Sequence, residues 1–215
     1  MSGRMNAERF VAIDLETTGL NPQVHNVLEV ACVVTDADFE PLEIETWLFH
    51  FNYNPAIHGG ISQKVVQMHT DNGLWDECRA AERGKTSEER IALWREIEHF
   101  IVHAGGQDAP LLGSNPGFDR LWLEHKAPNV ASLVHYRSLD VNSLYLLEGS
   151  ADNKPCGHRA LDDVLADLEV CKRWRGLLQL LPESLRGHPP ICKHTTCAYF
   201  GKPGCPGGHT ICEAR

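Results

Sequence analysis

The sequence predicts an α/β protein built on a mixed five-stranded sheet with helices on its faces. Three segments with strand patterns open the chain in succession, at residues 10–16, 27–34 and 43–50. Two shorter ones, at 111–113 and 135–140, alternate with segments of helical character. Strands that follow one another directly indicate an antiparallel meander, whereas strands separated by helices indicate parallel neighbours. Together the two patterns predict a sheet of mixed direction.

The helical segments are marked by their first residues and by the spacing of apolar side chains. Ser62 is expected to cap a short helix, and Ser87 opens a longer one that reaches about Ala104. We expect the longer helix to bury one apolar face, made of Ile91, Leu93, Trp94, Ile97, Phe100 and Ile101. The remaining helices are predicted after residue 115, over 141–147 and over 158–174.

Length and composition predict one full domain and a small appendage. A chain of 215 residues can build an α/β domain with its own core. A Gly-His-Pro-Pro sequence at residues 187–190 marks a change in composition. We therefore place the main domain at residues 1–186 and a separate segment at 187–215.

Charge and hydropathy argue against two classes of protein. The net charge of −9 argues against a general nucleic-acid coat that neutralises many phosphates. No apolar run is long enough for a bilayer span, so no membrane association is expected. The first residues lack the apolar region of a signal peptide, and we expect a cytoplasmic protein.

The first strand ends in two carboxylates, Asp14 and Glu16, before a Thr-Thr-Gly turn. Because side chains alternate along a strand, both carboxylates are expected on the same face. Two like charges at the end of a buried strand are costly unless a cation lies between them. Hard divalent cations prefer carboxylate oxygens, which predicts a metal site. The alternative interpretation is a solvated strand end.

Three additional residues, all later in the chain, complete a set of side chains suited to two-metal hydrolysis. Asp119 is expected in the first turns of a helix, and His158 precedes Asp163 at the start of another. Four carboxylates can hold two divalent ions, Mg²⁺ or Mn²⁺, which activate a water molecule and stabilise the leaving oxygen. A histidine that titrates near neutrality can take the proton of that water.

These carboxylates lie in three motifs that resemble those of a known family. The motifs are Ile13-Asp-Leu-Glu-Thr-Thr-Gly-Leu20, Gly113-Ser-Asn-Pro-Gly-Phe-Asp-Arg120 and His158-Arg-Ala-Leu-Asp-Asp163. In this order they resemble the DEDDh family of 3′-to-5′ exonucleases, and most closely its oligoribonuclease branch. Residues 68–74 and 135–141 are similar as well. The resemblance spans about residues 8–175 and implies an RNase H-like fold.

The resemblance implies a role for each matching residue. It assigns the metal ions to Asp14, Glu16, Asp119 and Asp163, and the general base to His158. Asp162 matches less well, because the family places four residues between the histidine and the aspartate. The resemblance also implies that short RNA is degraded to nucleoside 5′-monophosphates and that the protein is a homodimer.

Four residues are expected on the same basis to bind substrate. Leu20 matches an apolar wedge at the last two bases, His69 a residue of the nucleotide pocket, and Arg137 part of a cap over the 5′ phosphate. Asn115 follows Ser114 in the second motif, where the family usually has Asn-Ser. Without the resemblance, His69 would be interpreted as a surface loop residue.

Two departures from the family pattern leave the substrate open. Lys64 stands where an aromatic residue is expected, and Asn142 stands where the phosphate cap has a serine. A lysine cannot stack on a base as tryptophan would. A broader exonuclease for 3′ ends of single-stranded RNA or DNA is therefore an alternative. A non-catalytic nucleic-acid-binding adaptor is a third, which would be expected to have a damaged metal site.

The last segment of the chain is rich in cysteine and histidine. Cys192, Cys197, Cys205 and His209 have a spacing that resembles a CCCH zinc finger, and Cys212 is an alternative ligand. So short a segment buries too little apolar area to fold alone, and a metal would supply the folding free energy. The pattern predicts a structural Zn²⁺; the alternative is a disordered tail with idle thiols.

Overall fold

Five strands and seven helices form the part of the chain that the computed structural model describes, residues 8–149 and 157–181. The strands are β1 (Arg9–Thr17), β2 (Val27–Asp36), β3 (Pro41–Leu48), β4 (Pro110–Gly113) and β5 (His135–Asp140). The helices are α1 (Gln63–Asp71), α2 (Leu74–Ala80), α3 (Ser87–His103), α4 (Pro116–Lys126), α5 (Pro128–Leu133), α6 (Val141–Glu148) and α7 (Ala160–Leu180). None of these described helices has both the length and the hydropathy needed to cross a membrane.

The strands form one sheet in the order β3-β2-β1-β4-β5. β2 pairs antiparallel with both β1 and β3, whereas β4 pairs parallel with β1 and with β5. Helices α1, α2 and α3 lie between β3 and β4 in the chain, and helices α4 and α5 form the crossover from β4 to its parallel neighbour β5. The predicted mixed sheet with an opening antiparallel meander is confirmed.

The two faces of β1 differ in chemistry. Val11, Ile13 and Leu15 are buried in the main core together with apolar residues of α3 and α4. Because side chains alternate along a strand, Asp14 and Glu16 point to the opposite face. One face of the central strand therefore builds the core while the other carries the carboxylates.

The two strands β3 and β2 differ in how far they are buried. The third strand was expected at residues 43–50 but runs from Pro41 to Leu48, and residues 42–46 are exposed because β3 lies at the edge of the sheet. β2 is buried along nearly its whole length, which fits a strand covered on both faces. Its only charged residue among these buried positions is Glu29.

Helix α3 begins at Ser87, as predicted. Its N-cap is Thr86, whose side chain accepts a hydrogen bond from the backbone of Glu89 while the Glu89 carboxylate accepts one from the backbone of Thr86. This capping box satisfies two amides that the helix leaves unpaired. The expected apolar face is buried at Leu93, Ile97 and Ile101, but Ile91 is 51% exposed.

Helices α1 and α2 form a short segment that packs beside the carboxylate face. Ser62 caps α1 as predicted, by accepting a hydrogen bond from the backbone of Val65. Helix α2 was not predicted, and the left-handed Gly73 (φ 78°) makes the turn between the two. Helix α5 was also missed.

Helix α7 carries the third motif. It was expected over residues 158–174 and runs from Ala160 to Leu180, so His158 lies in the loop before it. The chain divides into two compact units between Lys172 and Arg173, and the site described below lies in the first. The domain boundary predicted after residue 186 lies outside the described residues and stays a prediction.

Candidate active site

Asp14 and Glu16 form the first part of the site, at the end of β1. Glu16 is 7% exposed. Burial raises its pKa from the ordinary 4.5 to about 8, and the charges of Asp14 and Asp163 add to this effect. A carboxyl group so perturbed is more stable protonated, or beside a cation, than as a bare anion.

Asp119 enters the site from helix α4. Pro116 is the first residue of this helix, so Asp119 lies in its first turn, as predicted. The side chain is 2% exposed. Burial raises the pKa of Asp119 well above its usual range, and the negative charge of Asp14 raises it further. Asp14 therefore lies close enough to influence both Glu16 and Asp119.

His158 and Asp163 approach from the start of α7. Asp163 is buried, whereas the neighbouring Asp162 is exposed, which agrees with the choice of Asp163 for the site. One ligand atom from each of Glu16, His158 and Asp163 lies within 4.8 Å of the other two. The first and third motifs thus meet in space, and these three groups could hold a metal ion.

The electrostatics of the site favour a bound cation. Three carboxyl groups, those of Glu16, Asp119 and Asp163, are almost completely buried. Uncompensated carboxylates in such surroundings are costly, and the raised pKa values of Glu16 and Asp119 reflect that cost. Their oxygen atoms are hard ligands of the type that Mg²⁺ and Mn²⁺ prefer. The donor set therefore fits the divalent ions expected from the sequence.

Arg159 was missed by the sequence analysis and organises the start of α7. Its guanidinium donates to Glu29 at 3.1 and 2.8 Å and to Glu77 at 2.9 and 2.8 Å. The amide of Ala160 also donates to Glu29, at 3.0 Å. Glu29 pairs with Glu16 across β2 and β1, so Arg159 neutralises a carboxylate beside the site. Glu29 is a lone glutamate in an otherwise apolar strand, and this could have indicated from the sequence that it needs a positively charged partner.

Asp167 is a second residue that the sequence analysis missed. It is 3% exposed, and its carboxylate accepts a hydrogen bond from the Ser114 hydroxyl at 2.9 Å. Its charge also contributes to the raised pKa of Asp119. Asp167 follows Asp163 by one helical turn, and this spacing could have revealed it.

His69 is buried on α1, so the interpretation as a surface loop residue is wrong. Its Nε2 donates a hydrogen bond to the Thr17 carbonyl at 3.1 Å and lies 3.9 Å from a Glu16 oxygen. The ring packs edge-on against Trp75 at 5.1 Å. Burial lowers the pKa of His69, which favours a neutral imidazole.

The other expected substrate residues occupy different elements. Leu20 is 78% exposed on the turn that follows β1. Asn115 is left-handed (φ 63°) before α4, and its backbone N–H donates a hydrogen bond to the Asp140 carboxylate at 3.1 Å. Arg137 is exposed on edge strand β5, with its guanidinium 5.5 Å from the Tyr136 ring centre. Within residues 8–149 and 157–181, no hydrogen bond or ion pair joins Arg137 to Asp14, Glu16, Asp119 or Asp163.

The predicted zinc ligands lie outside the described residues. Cys192, Cys197, Cys205, His209 and the alternative Cys212 all fall in the stretch after residue 181. Within the described ranges, Cys32, Cys78 and Cys171 are free and buried. The pKa of Cys171 is raised to about 12 by burial, which suits an inert core thiol.

Comparison with known protein families and proteins identifies sequence relatives. Residues 11–171 match the family described as Exonuclease. Oligoribonuclease from Tropheryma whipplei (strain Twist) is 35% identical over 174 residues, which cover 77% of this chain and 91% of the relative. Oligoribonuclease from Actinobacillus pleuropneumoniae is 30% identical over 179 residues, 80% of this chain and 95% of the relative.

Solved structures of exonuclease I share the fold. One superimposes with a TM-score of 0.52 at 17% identity, over 80% of this chain and 43% of the exonuclease I chain. The zinc-bound complex of Escherichia coli exonuclease I with single-stranded DNA gives 0.52 at 16% identity, over 80% and 41%. This chain therefore spans less than half of these structures, and at such identities the likeness concerns the fold alone.

Proposed function

The chain belongs to the exonuclease family and is related within it to oligoribonucleases, and on this premise we propose that it hydrolyses short RNA from the 3′ end. The reaction requires divalent metal ions and releases nucleoside 5′-monophosphates. The observation that carries the proposal is the meeting of Glu16, His158 and Asp163 within 4.8 Å at the end of the central strand.

Asp14, Glu16, Asp119 and Asp163 are assigned to two divalent ions, Mg²⁺ or Mn²⁺. Support comes from the burial of three of these carboxyl groups and from the raised pKa of Glu16 and Asp119. A site that penalises bare carboxylates gains most from a cation. Bound there, the ions would supply Lewis-acid activation of water and stabilise charge on the leaving oxygen.

His158 is assigned as the general base. Its side chain is exposed, so water can reach the ring. Glu16 and Asp163 lie beside it, which places the ring next to the carboxyl groups assigned to the metal ions, where an activated water would lie. Asp163 also accepts a hydrogen bond from the Gly157 amide at 3.3 Å, which anchors the residue before His158.

Leu20, His69, Asn115 and Arg137 are assigned to substrate binding. An apolar side chain as exposed as Leu20 can support a base. His69, held by Thr17 beside Glu16, shapes the wall of the site. Arg137 forms no ion pair within the described ranges, so its guanidinium remains available for a phosphate.

Three further assignments concern parts of the protein outside the site. The tail is proposed to hold a structural Zn²⁺ through Cys192, Cys197, Cys205 and His209, with Cys212 as an alternative ligand. A homodimer is proposed, and exposed apolar residues of β5 and α6 provide a surface that a second copy could cover: Tyr136, Leu146 and Leu147. A cytoplasmic location is proposed from the sequence alone.

A broader activity on single-stranded RNA or DNA is the second candidate. Lys64 is exposed on α1, where it offers a positive charge instead of an aromatic surface. A cation attracts the phosphates of any strand, whereas base stacking would hold a terminal nucleotide in place. This arrangement favours tolerance of longer strands and of either sugar.

The test compares three substrates with a common 5′ label: an RNA dinucleotide, a long single-stranded RNA and a single-stranded DNA of the same sequence. Each is incubated with Mg²⁺ or Mn²⁺, and Asp14→Ala serves as the blank. Preferential loss of the dinucleotide is the expected result. Equal or faster shortening of the long strands would favour the broader exonuclease. No metal-dependent cleavage of any substrate would contradict both and leave the adaptor.

A further inference from the structure

The backbone of His158 adopts a conformation that is unusual for a histidine. Its φ is 50°, in the left-handed region that favours glycine. Such a conformation persists only where surrounding contacts hold it, and these positions concentrate at functional sites. The contacts that hold this loop come from the α1–α2 segment (residues 63–80) and from strand β2.

The first contact reaches the His158 backbone directly. The side-chain amide of Asn72 donates a hydrogen bond to the His158 carbonyl oxygen. Asn72 lies at the junction of α1 and α2, and its side-chain oxygen accepts a hydrogen bond from the Leu74 amide at 3.0 Å. One side chain therefore ties this junction to the loop that carries the imidazole.

The second contact passes through the next residue, Arg159. Its guanidinium binds the carboxylate of Glu77 on α2 through two hydrogen bonds of 2.9 and 2.8 Å. It binds Glu29 on β2 through two more, of 3.1 and 2.8 Å. A guanidinium held bidentately by two carboxylates has little freedom to shift. The residue after His158 is thus fixed on two sides.

The α1–α2 segment is also attached to the opposite side of the site. His69 of α1 donates to the carbonyl of Thr17, the residue after Glu16, at 3.1 Å. The His69 ring in turn packs edge-on against Trp75 of α2. The segment therefore links the end of β1 to the His158 loop, in addition to any contact with substrate.

We propose that Asn72 and Arg159 are positioning residues that lock the His158 loop to the α1–α2 segment, so that this segment sets the place of the His158 side chain. The proposal rests on the proposed function, because it treats His158 as the general base. Neither residue has to touch the substrate. A nucleotide that packs against α1–α2 therefore also orders the His158 side chain. How well the substrate fits this segment then affects the rate of the chemical step.

Glu77→Gln is the variant that isolates this link. The Glu77 side chain is 45% exposed, and Arg159 retains its ion pair with Glu29 when Glu77 is neutralised. The substitution therefore leaves no buried charge without a partner. Arg159→Gln would instead leave Glu29 buried without its counter-ion and could unfold the protein. Arg159→Lys retains the charge but cannot bind both carboxylates bidentately. Asn72→Ala removes the other contact.

Glu96→Gln is a matched control. Glu96 is also 45% exposed and also binds an arginine, Arg83, bidentately. The pair lies on α3 and in the loop before it, and neither residue takes part in the contacts to Asn72, His158 or Arg159 described above. The control removes the same chemical interaction from the same kind of surface without touching the proposed link.

The first readout is amide hydrogen exchange in the metal-free full chain. Glu77→Gln and Asn72→Ala are expected to speed exchange over residues 157–160 about tenfold, while Glu96→Gln leaves it unchanged. The second readout is steady-state kinetics on short RNA. Both variants are expected to lower kcat about tenfold with KM nearly unchanged, and Arg159→Lys is expected to fall between them and the wild type.

Equal exchange over residues 157–160 in Glu77→Gln and Glu96→Gln would overturn the proposal, as would equal kcat in these two variants. The two readouts separate this proposal from the proposed function. If the wild-type chain cleaves no RNA, the proposed function fails, while the exchange measurement still decides whether α1–α2 holds the His158 loop.

Discussion

Glu16 shows most clearly the cost of burying several carboxyl groups next to one another. Burial, followed by the charges of Asp14 and Asp163, raises its pKa from 4.5 to about 8. With that pKa, we expect this carboxyl group to be mostly protonated in the metal-free protein at neutral pH. A divalent cation that binds there displaces the proton, so the affinity for metal should increase with pH.

The stability of the metal-free protein should depend on pH in the same sense. The folded state holds the Glu16 proton more tightly than the unfolded chain, so this contribution to the free energy of unfolding is complete below pH 4.5 and is lost as the pH rises through about 8. We expect the Tm without metal to fall from pH 6 to pH 8, and the increase in Tm on adding Mg²⁺ to be larger at pH 8.

Glu16→Gln is the control for this prediction. The amide has nearly the shape of the protonated carboxyl group but does not titrate, so its Tm should depend less on pH over the same range. Thermal unfolding monitored by circular dichroism at the two pH values provides the measurement. Identical pH dependence in the variant and the wild type would contradict the assignment.

Residues whose role follows from local pattern were predictable, and residues defined by distant partners were not. Strand alternation placed Asp14 and Glu16 on one face, and the spacing from His158 in the family resemblance selected Asp163 rather than Asp162. Arg159 depends on Glu29 and Glu77, which are far from it in sequence. Sequence spacing carries no information on such a pairing until the fold brings the strands and helices together.

At the scale of elements, long periodic segments were predicted and short ones were missed. Helix α3 has 17 residues and a clear apolar spacing, whereas α2 and α5 have 7 and 6 residues, too few for a period to emerge. The start of α3 at Ser87 was predicted, whereas its N-cap, Thr86, was not identified. The reciprocal hydrogen bonds with Glu89 favour Thr86.

Two isoleucines of α3 test how this helix packs. Ile97 is fully buried and Ile91 is 51% exposed, although the sequence pattern places both on the apolar face. Ile97→Ala should lower the free energy of unfolding by about 2–5 kcal/mol through lost burial and a cavity. Ile91→Ala should lower it by about 1 kcal/mol or less. Denaturant unfolding measures both, and equal losses would contradict the observed packing.

At the scale of the whole molecule, the order of the strands assembles the site. β1 lies between β2 and β4, and β4 runs parallel to β1, so that α4 begins near the end of β1 and delivers Asp119. The start of α7 is bound to β2 through Glu29, which delivers His158 and Asp163 to the same place. The sequence indicated which residues matter, but only the pairing of the strands brings them together.

The most direct test of the central claim is metal-dependent release of nucleoside 5′-monophosphates from short RNA by two neighbouring variants. Asp163 is buried beside Glu16 and the exposed His158, whereas Asp162, one position earlier on α7, is itself exposed. We predict that Asp163→Asn reduces release by about a hundredfold or more while Asp162→Asn retains nearly the wild-type rate. Equal activity in the two variants, or release that persists when the metal is chelated, would contradict a carboxylate metal site as the centre of this exonuclease.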